Sequence, residues 1–271
     1  MVDWIYSNPT WLWGTLFVVI ITALSCVGLC AVHRFVDPEM RHKHNDIAAA
    51  TIAIVGVAYA VLLAFIAVAA WQDYSDADKI VDTEASYVGN LYRDTTGLPA
   101  AKARPMKSAI RRYIEEVMTK EWPEQQKGMT ISSGEQTLLR LHHRIASLDP
   151  QTYGEAAIQG ELLRTINNLY SARRSRILAA NGAIPETIWW IIGFGSVITV
   201  GFMCFFGAPN FRMHLGMTAM VSMSMALVIV LIVSLDRPFR GDLCVSLSAF
   251  QNVKDSITVV ERAATERTAP E

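Results

Sequence analysis

Charge is missing from long stretches of this sequence. No Asp, Glu, Lys or Arg occurs between Trp11 and His33, Ile47 and Gln72, Thr187 and Phe211, or Met213 and Leu235. Each window is long enough to cross a hydrocarbon core of about 30 Å, which needs roughly 20 helical residues. Helices are the expected solution, since no water is present in a bilayer to satisfy backbone groups. The windows hold no acidic or basic side chain except His33 and His214, both at window ends. Ion-coupled carriers place acids or bases inside the membrane, so active transport is disfavoured.

Other absences narrow the reading further. The formal net charge is −1, so there is no basic excess to meet phosphates, and no nucleic-acid partner is expected. Of only four cysteines, Cys26, Cys30 and Cys204 lie inside apolar windows and Cys244 just beyond the last. They have no metal-ligand spacing and read as small packing residues. No phosphate loop, Gly-x-Ser-x-Gly elbow or His-Glu-x-x-His motif is present, so neither enzyme activity nor a cofactor or metal is expected. The first window lacks a basic flank and is too long for a secretion signal, so it reads as a retained helix.

What is present is an all-α integral membrane protein with four transmembrane helices and a helical soluble insert between the second and third. Residues 1–10 form an interfacial segment, with Trp4, Tyr6, Trp11 and Trp13 at headgroup level. The spans are 11–33, 47–72, 187–211 and 213–235. A short polar loop, 34–46, joins the first two, and its His42 and His44, like nearby His33, match no defined ligand set. The insert is 73–184, and a C-terminal segment, 236–271, carries an amphipathic stripe of Leu247, Phe250, Val253, Ile257 and Val260.

The second span organises the chain, because it runs without a break signal into the charged sequence from Asp73 onward. A single rod, half in lipid and half in water, is predicted. Gly56, Ala60 and Ala64 recur every four residues, a spacing that allows close helix packing in lipid. Tyr59, Leu63 and Ile66 lie on a different face. They are candidates for a hydrophobic constriction if the helix lines a pore, and packing or lipid contact is the alternative.

Four helices are predicted in the insert. The first carries a stripe of Tyr74, Ala77, Val81, Val88 and Leu91 and ends at Gly97-Leu98-Pro99. The second carries Met106, Ile110, Tyr113 and Val117. The third starts from a Ser133/Gln136 capping box. The fourth starts with Asp149 as N-cap before Pro150 and ends at Asn181-Gly182. The acidic run Asp73, Asp76, Asp78 and Asp82 is expected to pair with Arg173, Arg174 and Arg176, or in an oligomer to form charge rings that bias ion access. Asp73, Asp76, Arg173 and Arg176 are therefore the ion-pair or charge-ring candidates.

A set of short motifs spans most of the chain. It comprises Leu62-Leu63-Ala64-Phe65 with Trp71, Glu84-Ala85, Leu91-Tyr92-Arg93, Leu98-Pro99, Tyr113, Glu121-Trp122 and Asp236-Arg237-Pro238-Phe239-Arg240-Gly241. With these the chain resembles the bacterial bestrophin-like family of unknown function and is distantly similar to bestrophin anion channels. The family motif in the closing stretch is carried by Asp236, Pro238, Phe239 and Gly241. The resemblance implies a homo-oligomer, a pentamer in bestrophins, with the second span around the axis. It departs where bestrophins bind calcium after the fourth span, because Asp236 is followed by Arg237 and Arg240.

Basic residues flank the insert (Lys79, Arg173, Arg174, Arg176, Arg237, Arg240, Lys254), while the 34–46 loop carries Arg34, Arg41 and Lys43. The resemblance decides between these opposed signals and implies a multi-pass protein of the bacterial inner membrane with insert and termini in the cytoplasm. The lipid bilayer, further copies of the chain and small ions are the expected partners. The leading functional reading is a channel-like homo-oligomer passing small anions passively. The alternative is a non-conducting scaffold or sensor whose insert binds a cytosolic partner.

Overall fold

The computed structural model describes residues 2–36, 45–129, 133–182, 184–208 and 210–267. Helices dominate: α1 (Val2–Ser7), α2 (Thr10–Phe35), α3 (Asn45–Asp94), α4 (Ala100–Glu116), α5 (Trp122–Gln126), α6 (Ser133–Ala146), α7 (Tyr153–Ala179), α8 (Glu186–Cys204), α9 (Phe211–Asp236) and α10 (Ser248–Arg267). A 3₁₀ turn, Thr95–Gly97, follows α3, and a π-helical turn, Val117–Glu121, joins α4 to α5. No strand occurs among the described residues. Most of the loop that the sequence places between the first two spans, with His42 and His44, lies outside the described residues.

The chain divides into two units. One comprises Met1–Tyr74, Gly182–Arg237 and Gly241–Leu243. It holds α2, α8, α9 and the part of α3 up to Tyr74, and these four helices are long and apolar enough to cross a bilayer. Here α2 packs along α9, and the side chain of Val230 lies 3.0 Å from where a Cβ on Gly14 would stand. The bare glycine therefore permits the close approach that small residues give helices in lipid. α1 is tied back by Tyr6, whose hydroxyl donates to the Val233 carbonyl at 2.8 Å. His214 is buried, and its Nε2 donates to the Met203 carbonyl at 2.8 Å, near the end of α8.

The other unit comprises Ser75–Asn181, Pro238–Arg240 and Cys244–Glu271. Its core is the apolar stripe of the C-terminal half of α3 (Ala77, Val81, Ala85, Val88, Leu91), met by Met106, Ile110 and Ile114 of α4 and by Leu162, Ile166 and Leu169 of α7. α7 starts three residues later than the Asp149-Pro150 signal suggests. Thr152 is its N-cap, accepting from the Glu155 amide at 3.1 Å, while Asp149 accepts from the Gln151 side chain at 2.8 Å. Beyond α7 stands Gly182 at φ +82°, a left-handed conformation that suits glycine at a helix end. α10 buries Phe250 and Ile257, and its Glu261 receives the Tyr92 hydroxyl and pairs with Arg111.

Candidate functional site

Four helices of the second unit each place polar side chains on their apolar faces. On α3, Glu84 falls between Val81 and Val88 in the buried stripe. On α7 the inward positions 162, 166, 169, 173 and 176 alternate steps of four and three, so Arg173 and Arg176 continue the row of Leu162, Ile166 and Leu169. On the α4–α5 rod the inward row is Tyr113, Val117, Glu121 and Gln125. Steps of four drift about 40° each around an α-helix, and the wider π turn over Val117–Glu121 takes up that drift.

These side chains converge into one closed network. Arg176 donates from Nε to Glu84 Oε2 at 2.6 Å, from Nη2 to Glu84 Oε1 at 3.2 Å and to Glu121 Oε2 at 3.0 Å, and from Nη1 to Gln125 Oε1 at 2.6 Å. Arg173 grips Glu121 with both terminal nitrogens, at 2.5 and 2.8 Å. The Tyr113 hydroxyl donates to Glu84 Oε1 at 2.5 Å. Two carboxylates thus face two guanidiniums with their charges balanced.

Glu121 also does the work the sequence assigned to Ser133. It accepts from the Gly134 amide at 2.8 Å, placing a negative charge at the N-terminus of α6 where the helix dipole favours it. Among the described residues Ser133 Oγ makes no hydrogen bond. A Cβ on Gly134 would meet Tyr113, Arg173 and Glu121 at about 3 Å, so only a glycine lets the helix end sit this close to the network.

Electrostatics follow from the geometry. Burial acts to raise the Glu121 carboxyl, but the hydrogen bond and charge of Arg173, the charge of Arg176 and the Gly134 amide together hold it below the ordinary carboxylate value. The Tyr113 hydroxyl is pushed well up by burial and by the charge of Glu84, so it stays protonated and donates. Burial alone would lower both arginines, yet Glu121 and Glu84 raise them above their ordinary values. With every oxygen and most guanidinium nitrogens engaged, the network holds helices in register and offers no free acid, base or nucleophile.

Three of its members, Glu84, Tyr113 and Glu121, are among the residues on which the sequence resemblance rests. The bestrophin-like domain matches the chain over residues 19–250. This chain belongs to the bestrophin-like family. Solved structures of bacterial bestrophin homologues from Klebsiella pneumoniae share its fold. One substituted form is 14% identical with a TM-score of 0.67, covering 90% of this chain and 99% of that one. Another is 13% identical with a TM-score of 0.66, covering 92% and 97%. No curated protein matches.

In this bestrophin-like chain the residues singled out from sequence are distributed as follows. Tyr59, Leu63 and Ile66 are buried in the chain's own core with Ile192 and Ile232, and the Tyr59 hydroxyl donates to the Ile192 carbonyl at 2.6 Å. Within the single chain they face helices α8 and α9, the packing alternative that the sequence left open. Ala60 and Ala64 are exposed and Gly56 half-buried with open space beside it, so their close packing is not with another helix of this chain. Asp73 and Asp76 are exposed, and Asp76 pairs with Lys79 at 2.8 Å. The carboxylates that hold Arg173 and Arg176 are Glu121 and Glu84, a correction to the pairing with the Asp73–Asp82 run.

The closing motif is ordered throughout. Asp236 accepts from the Ile184 amide at 3.1 Å. Pro238 accepts from the Val245 amide at 2.7 Å. Phe239 is buried edge-on to Trp122, with ring centroids 5.5 Å apart. Gly241 turns the chain at φ +81°. Among the described residues no group of three or more His, Cys, Asp or Glu side chains is placed to hold a metal ion.

Proposed function

We propose that this protein is a homo-oligomeric channel that passes small anions down their gradient, with α3 of each copy around a common axis. The observation that carries the reading is the face of α3 turned away from its own chain. Ile54, Val61, Phe65 and Val68 are 74%, 48%, 70% and 54% exposed and fall within an arc of roughly 60° at 3.6 residues per turn. They lie opposite Tyr59, Leu63 and Ile66. An uncharged, bulky stripe of this kind, repeated around an axis, makes a constriction that gates by dewetting. The exposed Ala60 and Ala64 beside it let neighbouring copies approach. Membership of a family likened to bestrophin anion channels supports the ion class. On the same analogy the insert and both termini are cytoplasmic and the membrane is the bacterial inner membrane.

The test is anion flux from liposomes loaded with the purified chain, with subunit number measured on the same sample. Phe65→Ala and Val61→Ala are expected to conduct faster than wild type. A sample in which none of the three conducts, and in which the chain is monomeric, overturns the reading and favours the scaffold alternative.

A further inference from the structure

A second feature of the polar unit concerns charges that are not compensated. Between α4 and α6 lies a small cleft of about 130 Å³ lined by Pro105, Ser108, Arg112, Thr137, Arg140 and Arg144. Three guanidiniums border it. Arg112 uses Nε on Glu116 at 3.0 Å, and Arg144 uses one nitrogen on the Pro105 carbonyl at 3.2 Å. Arg140 makes no hydrogen bond or ion pair among the described residues. The carboxylate beside them, Glu116, is filled on both oxygens, by Arg112 and by Thr137 Oγ1 at 2.6 Å. Burial acts to raise Glu116, but these donors hold it below its ordinary value, so it remains an anion and offsets one of the three positive charges.

The arrangement works against local stability. Arg140 and Arg144 stand one turn apart on α6, a like-charge spacing that is unfavourable on a helix, and Arg112 faces them across the cleft. Arg144 has a local rationale near the C-terminus of α6, where the helix dipole favours a cation. Arg140, a full turn further in, has none. Guanidiniums with unused N–H pairs present a planar fork that fits tetrahedral oxyanions, and the Ser108 hydroxyl at the wall adds a donor. The cleft is smaller than the roughly 300–1,000 Å³ of sites for whole organic ligands, so it suits a single phosphoryl group.

We infer that the α4–α6 cleft is a binding site for a phosphate-type oxyanion, held by Arg112, Arg140 and Arg144. The group is either free phosphate or the headgroup of a phospholipid monoester, since both present the same oxygens. The full chain, purified in a phosphate-free detergent, is titrated calorimetrically with inorganic phosphate and separately with dihexanoyl phosphatidic acid. Saturable binding of one phosphate per chain, weakened roughly tenfold by Arg140→Gln and by Arg144→Gln and less by Arg140→Lys, supports a free-anion site. Saturation by the phosphatidic acid alone, with the same variant pattern, supports a headgroup site. Arg164→Gln, which removes an exposed arginine paired with Glu161, is expected to bind like wild type. Arg140 and Arg144 are both exposed, so their variants should melt as wild type does. Binding of neither ligand, or binding that the cleft variants leave unchanged, overturns the proposal.

Discussion

Arg176 and Glu84 form a two-point ion pair, at 2.6 and 3.2 Å, between side chains 1% and 0% exposed. Breaking a buried pair from one side strands the other charge, at a cost of about 3–5 kcal/mol. Arg176→Met should therefore lower the melting temperature of the detergent-solubilised chain sharply. Arg176→Lys should rescue little, because an ammonium cannot serve Glu84, Glu121 and Gln125 from one plane. Melting curves of either variant that overlay wild type would show that the network does not hold α3 to α7.

Acid should loosen the same network. The folded-state value of Glu121 is depressed, so its contribution is present above the unfolded carboxyl value of about 4.3 and is lost as pH falls through the lower folded value. Glu116 is shifted in the same direction. Wild type should thus lose stability progressively below about pH 4.3, and Glu121→Gln, destabilised at neutral pH, should lose less over that window. Parallel pH curves for the two proteins would contradict the assignment.

The spans were legible because bilayer physics removes charge from a sequence in blocks, and α3 was legible as one rod because no Pro interrupts it. The network was half visible. Glu84, Tyr113 and Glu121 stood among the family motifs, yet without roles. The signal that would have joined them is a charge on the apolar row of a helix, as at Glu84 among Val81, Ala85 and Val88, or Arg173 and Arg176 after Leu162, Ile166 and Leu169. A shared membrane face favoured the Asp73–Asp82 run instead, but all four of those acids are exposed, whereas Glu84 is buried. For Glu121 no periodic signal existed, since the π turn that swings it inward changes the period itself. The same ambiguity affected Tyr59, Leu63 and Ile66. Bulk on one face of a span marks either a pore or a packing face, and only the position of α8 decides.

That position rests on Gly195. A Cβ there would run into the Tyr59 ring, whose hydroxyl is fixed to the Ile192 carbonyl and lies 2.7 Å from Ser196 Oγ. Gly195→Ala should destabilise the membrane unit by about 1–3 kcal/mol through overpacking. Tyr59→Leu should be destabilising alone, and in combination with Gly195→Ala less so than the sum, since the two changes share one space. Additive effects in the melting of the four proteins would mean the ring does not pack on α8.

The two faces of α3 can be told apart in the assembled protein by cross-linking. With Cys26, Cys30, Cys204 and Cys244 all replaced by serine, a thiol introduced at one position can pair only with its counterpart in another copy. Phe65→Cys and Val68→Cys lie on the exposed stripe, whereas Ile66→Cys is buried against the chain's own α8 and α9 cluster. If α3 gathers around an axis, oxidation in the membrane should link chains through positions 65 or 68, because disulfides require Cα atoms within about 7 Å, and leave position 66 monomeric on a gel. Linking at 66 would mean that the buried face opens when copies assemble, which would restore Tyr59, Leu63 and Ile66 to the path. Failure at all three positions would place α3 away from the axis, and the constriction would have to be sought on another helix.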